Sequence, residues 1–69
     1  MVQTSIRNNI RRLRFEANEM TQAELAERVG VTRQTLNAIE AAKYSPTLEL
    51  AFKIAKVFGV PLNEVFQYE

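Results

Sequence analysis

The sequence predicts an all-α domain built from five short helices. Its 69 residues suffice for one domain with a small core, and 46% of them are hydrophobic. Apolar residues recur three and four positions apart, whereas no segment alternates apolar and polar residues as a half-buried strand would. The two glycines and two prolines fall between these helical patterns, where they can end or start helices. We therefore expect a single domain over residues 1–69.

The first predicted helix occupies residues 5–17. Ile6, Ile10 and Leu13 recur at helical spacing and define its apolar face. Asn18 follows, and asparagine tolerates the left-handed backbone conformation found at helix ends. The helix therefore ends in a polar turn.

The second and third predicted helices are separated by a short, sharp turn. Thr21 and Glu24 have the spacing of a capping box, in which each side chain bonds the other residue's backbone amide. Gly30 ends the second helix, and Thr32 can cap the third. Because so few residues lie between them, the two helices must cross closely.

The fourth predicted helix is apolar on nearly all sides. Pro46 breaks the chain before it, and Thr47 can provide its cap. Apart from one narrow charged stripe its residues are apolar, which predicts a central helix surrounded by neighbours. Gly59 closes it, and a last short helix follows, in which Pro61 could be either the cap or the first helical residue.

Composition excludes several classes of function. The chain has no cysteine and no histidine, so it lacks the usual zinc ligands and the commonest general base. It contains no nucleophile–base pair and no glycine-rich phosphate loop, and its short helices leave little room for a small-molecule cavity. We therefore expect neither an enzyme nor a metal, a cofactor or a small-molecule ligand. The polar N-terminus and the lack of a long apolar run predict a cytoplasmic protein without a membrane partner.

The segment from Gln22 to Ala41 has the most specific pattern in the chain. Ala26 supplies a small side chain where two helices approach, and Gly30 allows a positive φ at the turn between them. Five apolar residues can anchor both helices to the core: Leu25, Val29, Val31, Leu36 and Ile39. A helix-turn-helix motif requires these residue types at these positions, whereas an ordinary helical hairpin would not require all of them at once.

The outward-facing residues of the third helix suit the recognition of DNA bases. Arg33 can bond O6 and N7 of guanine, and Gln34 or Asn37 can bond N6 and N7 of adenine. The methyl groups of Thr32 and Ala38 can lie against thymine. Lysine and glutamate would be more usual on a helix face that only confers solubility, so we expect this face to read the major groove.

The sequence resembles the Cro/repressor-type, or Xre, helix-turn-helix family, to which the lambdoid phage repressors belong. The segments MTQAELAERVGVTRQTLNAIE and KYSPTLELAFKIAKVFGVPLNEVF carry the likeness, which extends from Ile6 to Phe66. The resemblance implies a five-helix, lambda-repressor-like domain that binds double-stranded DNA and regulates transcription, as a repressor. It is strongest to minimal members with little beyond the DNA-binding domain, and we expect no added segment here.

The resemblance also implies roles for individual residues. Base edges would be contacted by Arg33, Gln34, Asn37 and Ala38, with Thr32 near them. Phosphates would be contacted by Gln22, whose side chain would donate with help from the amides of its helix, and by Lys43 and Tyr44 in the loop after the third helix. A structural ion pair would join Arg14 to Glu40.

Two positions leave alternatives open. Arg12 could contact phosphate, or it could pair with Glu16 one turn away. Ala41 and Ala42 stand where related proteins often have a pair such as Asn-Gly, at a turn that needs a positive φ. Either Ala42 is strained, or the loop differs from that of the family.

A homodimer is expected because one recognition helix reads too few base pairs for useful specificity, and paired half-sites imply an inverted-repeat operator. Leu50 and Val57 flank the charged stripe of the fourth helix, and Phe66 and Tyr68 follow a helix too short to bury both. These four residues are the candidate dimer interface. The alternative function is that of an antitoxin, which would bind both operator DNA and a toxin protein with the same fold.

Overall fold

The computed structural model describes residues 4–68, which form five helices and a two-stranded sheet. In chain order the elements are β1 (Ile6–Asn8), α1 (Ile10–Glu16), α2 (Gln22–Val29), α3 (Arg33–Glu40), α4 (Leu48–Phe58), α5 (Leu62–Val65) and β2 (Phe66–Tyr68). The five predicted helices are confirmed. None of the helices in this part of the chain is long and apolar enough to cross a membrane.

The sheet at the chain ends was not predicted. Ile6, expected in the first helix, lies in β1 opposite Tyr68, and Asn8 lies opposite Phe66 in the same antiparallel pair. The Asn8 side-chain oxygen accepts a hydrogen bond from the amide of Ile10 at 3.1 Å, so the helix begins only there. Strands of three residues are too short to show an alternating pattern, so the prediction of no strand was wrong.

Local capping interactions define the starts of α2, α3 and α4, as predicted. The Thr21 hydroxyl accepts from the Glu24 amide at 3.0 Å, and the Thr21 amide donates to the Glu24 carboxylate at 2.8 Å. Thr32 and Thr47 each accept a hydrogen bond from an amide in the first turn of the helix that follows. Pro61 is the cap of α5, which decides between the two alternatives left open by the sequence.

The turn between α2 and α3 sets the position of α3 relative to α2. Gly30 has φ +79°, and its amide and that of Val31 both donate to the Ala26 carbonyl, at 2.9 and 3.0 Å. Ala26 itself is buried, so a small side chain lies in the interior close to this turn. A residue with a Cβ would be strained at the Gly30 backbone conformation.

The core collects large aliphatic side chains from all five helices. Six are almost completely buried: Ile10, Leu25, Leu36, Ile39, Ile54 and Val65. Each contributes roughly 1.5–3 kcal/mol by its removal from water. The expectation that neighbours surround α4 is right on one side only, because Leu48 and Phe52 are 68% and 54% exposed.

Candidate nucleic-acid interface

The third helix presents a polar face because its apolar face is anchored in the core. Leu36 and Ile39 are buried, whereas Arg33, Gln34 and Asn37 are exposed to solvent. The buried residues fix the rotation of α3 about its axis. The exposed residues are therefore presented by a supported helix rather than by a loop.

Four of the predicted site residues lie together on the surface. Gln22, at the start of α2, lines one shallow depression with Arg33, Gln34 and Asn37 of α3. Thr32 is also exposed, but its hydroxyl bonds the amide and the hydroxyl of Thr35, at 3.1 and 2.9 Å. The Thr32 hydroxyl is thus engaged with the first turn of α3, and its methyl group remains the predicted contact for a base.

Ala38 and the two loop residues differ in exposure. Ala38 is half-buried, whereas Lys43 and Tyr44 are exposed after the end of α3. Tyr44 lines a different depression from the one that holds Arg33, together with residues of the α2–α3 turn and of α4. The predicted phosphate contacts in this loop are thus spatially separate from the predicted base contacts.

The ion pair between Arg14 and Glu40 is present and has bidentate geometry. Arg14 Nε lies 2.8 Å from Glu40 Oε2, and Arg14 Nη2 lies 3.0 Å from Glu40 Oε1. The two side chains are only 15% and 9% exposed. The remaining guanidinium nitrogen, Nη1, donates to the Met20 carbonyl at 2.9 Å. The pair therefore joins the end of α3 to α1 and to the segment that precedes α2.

Gln22 belongs to the same network. Its Nε2 atom lies 3.2 Å from Glu40 Oε1 and 3.2 Å from Asn37 Oδ1. Because a side-chain amide has two N–H groups, both donors of Gln22 already have acceptors within the protein. In this arrangement the Gln22 side chain is bonded within the protein, and its contact with a phosphate stays a prediction. The backbone amides of Gln22 and Ala23 lie in the first turn of α2, where a helix provides no acceptor for them.

The loop after α3 contains a strained residue. Ala42 has φ +60°, which confirms the first of the two alternatives, and conformations of this kind cost roughly 1–2 kcal/mol for a residue with a Cβ. The Ala42 amide donates to the Ile39 carbonyl and the Lys43 amide to the Ala38 carbonyl, both at 3.0 Å. These bonds close the C-terminal turn of α3 in the way that glycine usually allows.

Residues in and before β1 support the loop after α3. No sequence pattern predicted this support. Asn8 Nδ2 donates to the carbonyls of Ile39 and Glu40, at 3.0 and 3.3 Å, and so caps the C-terminal end of α3. The Thr4 amide donates to the Ala42 carbonyl at 3.1 Å. Asparagine before an apolar position signals a helix start, and here the Asn8 side chain bonds the first turn of α1 as well. No local signal shows that it also reaches α3.

Arg12 forms the ion pair that one alternative predicted. Its Nη1 atom lies 3.4 Å from a carboxylate oxygen of Glu16, and both side chains are about half exposed. Exposed i, i+4 pairs contribute only about 0.3–0.5 kcal/mol. So weak a pair would not prevent Arg12 from also meeting a phosphate.

The four residues predicted to form the dimer interface differ in their exposure. Leu50 is only 8% exposed and packs in the core of its own chain, so its assignment to the interface was wrong. Val57 is half-buried against the same core. Phe66 and Tyr68 line an apolar depression with Ile6 and Leu62, and Tyr68 is 79% exposed. The accessible part of the predicted surface therefore lies at α5 and the sheet.

The capping box of α2 has an electrostatic consequence. The hydrogen bond from the Thr21 amide lowers the pKa of the Glu24 carboxyl, with smaller contributions from the Thr21 hydroxyl and from Arg28. Glu24 therefore stays ionised to a lower pH than an unbonded glutamate would. Its charge lies in the first turn of α2, where the helix dipole favours an anion.

Comparisons with known proteins agree with this geometry. Residues 10–65 match the helix-turn-helix family. An uncharacterized HTH-type transcriptional regulator from Methanocaldococcus jannaschii is 56% identical over 52 residues, which are 75% of this chain and 79% of the relative. The HTH-type transcriptional regulator YgzD of Bacillus subtilis is 44% identical over 64 residues, 93% of this chain and 96% of the relative.

A phage repressor and a crystal structure extend the comparison. The CTXphi transcriptional repressor RstR of Vibrio cholerae is 41% identical over 58 residues, which are 84% of this chain and 51% of the repressor. The crystal structure of a protein from Bacteroides fragilis to which DNA binding has been ascribed superposes with a TM-score of 0.78 at 24% identity. The superposition covers 90% of this chain and 98% of the other, so the two chains share a fold. Because the family match covers most of the chain and agrees with these relatives, the chain belongs to the Xre-type helix-turn-helix family of DNA-binding transcriptional regulators.

Proposed function

We propose that this regulator is a repressor that recognises a specific sequence of double-stranded DNA by placing α3 in the major groove. The observation that carries the proposal is the grouping of Arg33, Gln34 and Asn37 on the exposed face of a helix whose opposite face is buried. In this role the chain acts by binding, not by catalysis, and works in the cytoplasm.

The base contacts follow from the chemistry of these side chains. Arg33 can bond O6 and N7 of guanine with two hydrogen bonds, and Gln34 can bond adenine. Asn37 lies one turn further along α3 and reaches a neighbouring base pair. Ala38 and the methyl group of Thr32 provide apolar contact, for which the methyl group of thymine is suited.

The phosphate contacts come from outside this face. We assign them to the backbone amides at the start of α2, to Lys43 and Tyr44, and to Arg12 on α1. Such contacts set the position of a protein on the duplex without reading its sequence.

We further propose that two copies bind an inverted-repeat operator. The apolar surface formed by Phe66 and Tyr68, bordered by Ile6 and Leu62, supports a homodimer. Val57, which is half-buried on α4, is retained as a further candidate contact. Two half-sites would then lie about 34 Å apart, one turn of the DNA helix. Sedimentation that shows a monomer at tens of micromolar, both alone and on DNA, would exclude this arrangement.

The reading face is tested by Arg33→Ala, with Arg28→Ala as the matched control. Arg28 is an exposed arginine in the last turn of α2 and has no base-reading role in the proposal. Bound sequences are first selected from random duplexes, and affinities are then measured on the selected site and its single-base variants. We expect Arg33→Ala to lose roughly 1–3 kcal/mol of binding free energy and to relax the preference at one base pair. An unaltered preference would show that the reading face is assigned wrongly.

A further inference from the structure

The hydrogen-bond chain from Arg14 to Asn37 has a fixed direction. A guanidinium group can only donate hydrogen bonds, and an ionised carboxylate can only accept them. Arg14 therefore donates to both oxygens of Glu40, at 2.8 and 3.0 Å, and Glu40 has no proton to offer a third partner. Any side chain that bonds Glu40 next must present a donor.

Gln22 is that next side chain, and Glu40 decides the orientation of its amide. The atom that lies 3.2 Å from Glu40 Oε1 must be the nitrogen, because the opposite orientation would bring two oxygens together. The same nitrogen lies 3.2 Å from the Asn37 side chain. Because this nitrogen is a donor, the Asn37 atom that faces it must be the oxygen.

Asn37 is thereby left with its donor directed away from the network. Its Oδ1 atom is bonded to Gln22, and its Nδ2 atom has no hydrogen-bond acceptor within residues 4–68. The side chain is exposed and lies on the base-reading face. Without Gln22, the Asn37 amide could offer DNA either its donor or its acceptor. With Gln22 bonded to its oxygen, Asn37 is oriented before DNA binds.

We infer that Gln22 is a specificity-determining residue, which orients Asn37 as a hydrogen-bond donor toward the major groove and so excludes cytosine from the base it contacts. The inference rests on the proposed reading of DNA by α3. Guanine presents N7 and O6, adenine N7 and thymine O4 as acceptors in the major groove, whereas cytosine presents only the N4 amino donor. A cytosine amino group would meet the donor of Asn37 without an acceptor between them.

The experiment compares base preferences rather than affinities. Bound duplexes are selected from a random library, and Asn37→Ala identifies the base pair that Asn37 contacts. At that position we expect the wild-type protein to disfavour cytosine by roughly tenfold relative to the preferred base. In Gln22→Met, which keeps the length of the side chain but removes its donors, the Asn37 amide can rotate and accept from cytosine. The discrimination should then fall below about threefold.

Two further variants make the test specific. Gln22→Ala removes the same donors with a smaller side chain, and thermal unfolding establishes that both Gln22 variants are folded. Gln34→Met is the matched control, because it removes a glutamine amide from the same face without touching the network. It should alter a different base position and leave the discrimination against cytosine unchanged.

Failure of this inference can be distinguished from failure of the proposed function. If both Gln22 variants keep the wild-type discrimination at the position identified by Asn37→Ala, the orienting role is wrong and base reading by Asn37 stands. If Asn37→Ala changes no base preference, Asn37 does not read bases and the inference falls with that contact. Arg33→Ala then still tests the rest of the reading face.

Discussion

The two ends of α3 are stabilised in different ways. At the N-terminal end, the Thr32 hydroxyl bonds the amide of Thr35, three residues away in the chain. At the C-terminal end, Ala42 is in a strained conformation and the last carbonyls of α3 are bonded by Asn8, which lies 31 residues before Ile39 in the chain. The N-terminal end of α3, where the proposed base contacts begin, is therefore determined locally, whereas the C-terminal end, which leads to the proposed phosphate contacts, depends on the rest of the fold.

The largest effect in this comparison is expected at the C-terminal end, from loss of the Arg14–Glu40 pair. Arg14→Ala should destabilise the domain by roughly 3–5 kcal/mol, because Glu40 would keep a poorly solvated charge without its partner. Chemical denaturation measures this loss. The double variant Arg14→Met, Glu40→Met should recover much of the stability, since it leaves no unpaired charge. A loss below about 1 kcal/mol in Arg14→Ala would mean that the pair behaves as an exposed one.

The second-largest effect on stability is expected from loss of the cap that Asn8 provides at the C-terminal end of α3. Asn8→Ala leaves two carbonyls at the end of α3 without their side-chain donor and should cost roughly 1–3 kcal/mol in the free energy of unfolding. Hydrogen exchange should show faster opening of the amides of Ala42 and Lys43. Thr32→Ala is the matched variant for the other end and should loosen the amides of the first turn instead. If Asn8→Ala and Thr32→Ala accelerated exchange at the same amides, the two ends of α3 would not be stabilised independently, one by a local contact and one by a long-range contact.

The strain at Ala42 predicts a stabilising substitution. Ala42→Gly removes the Cβ clash at φ +60°, and we expect a gain of about 1 kcal/mol in the free energy of unfolding. The gain is reduced by the greater backbone freedom of glycine in the unfolded chain. Ala41→Gly is the control, because Ala41 has φ −81° and glycine should destabilise there. A loss of stability in Ala42→Gly would show that the loop does not need this conformation.

The smallest effect is the pH dependence of the cap of α2, a local cap of the same kind as that of Thr32. Because folding lowers the pKa of Glu24, its contribution to stability is fully present above the ordinary pKa of the unfolded-state carboxyl and is lost as the pH falls through the lower folded value. The unfolding free energies of wild type and Glu24→Gln should therefore converge in acid. A difference that stays constant across this range would exclude a role for ionisation of Glu24.

These predictions separate what could be read from the sequence from what could not. The capping box of Thr21 and Glu24 was predictable, because both of its hydrogen bonds lie within one helical turn. The burial of Leu50 was not, although Leu48, two residues earlier, is exposed on the same apolar helix. Periodicity identifies α4 as apolar, but which flank is covered depends on where α2 and α5 pack.

By itself, the sequence determined the existence of five helices, the threonine caps of α2, α3 and α4, and the polar face of α3, because these follow from hydrogen bonds and spacings within a few residues. The resemblance of its motifs to a family added the Arg14–Glu40 pair. Only the tertiary structure decided the pairing of the two terminal strands, the cap that Asn8 provides and the link from Gln22 to Asn37. Each of these joins residues far apart in the chain, and such contacts form only when the packing of the core brings their elements together.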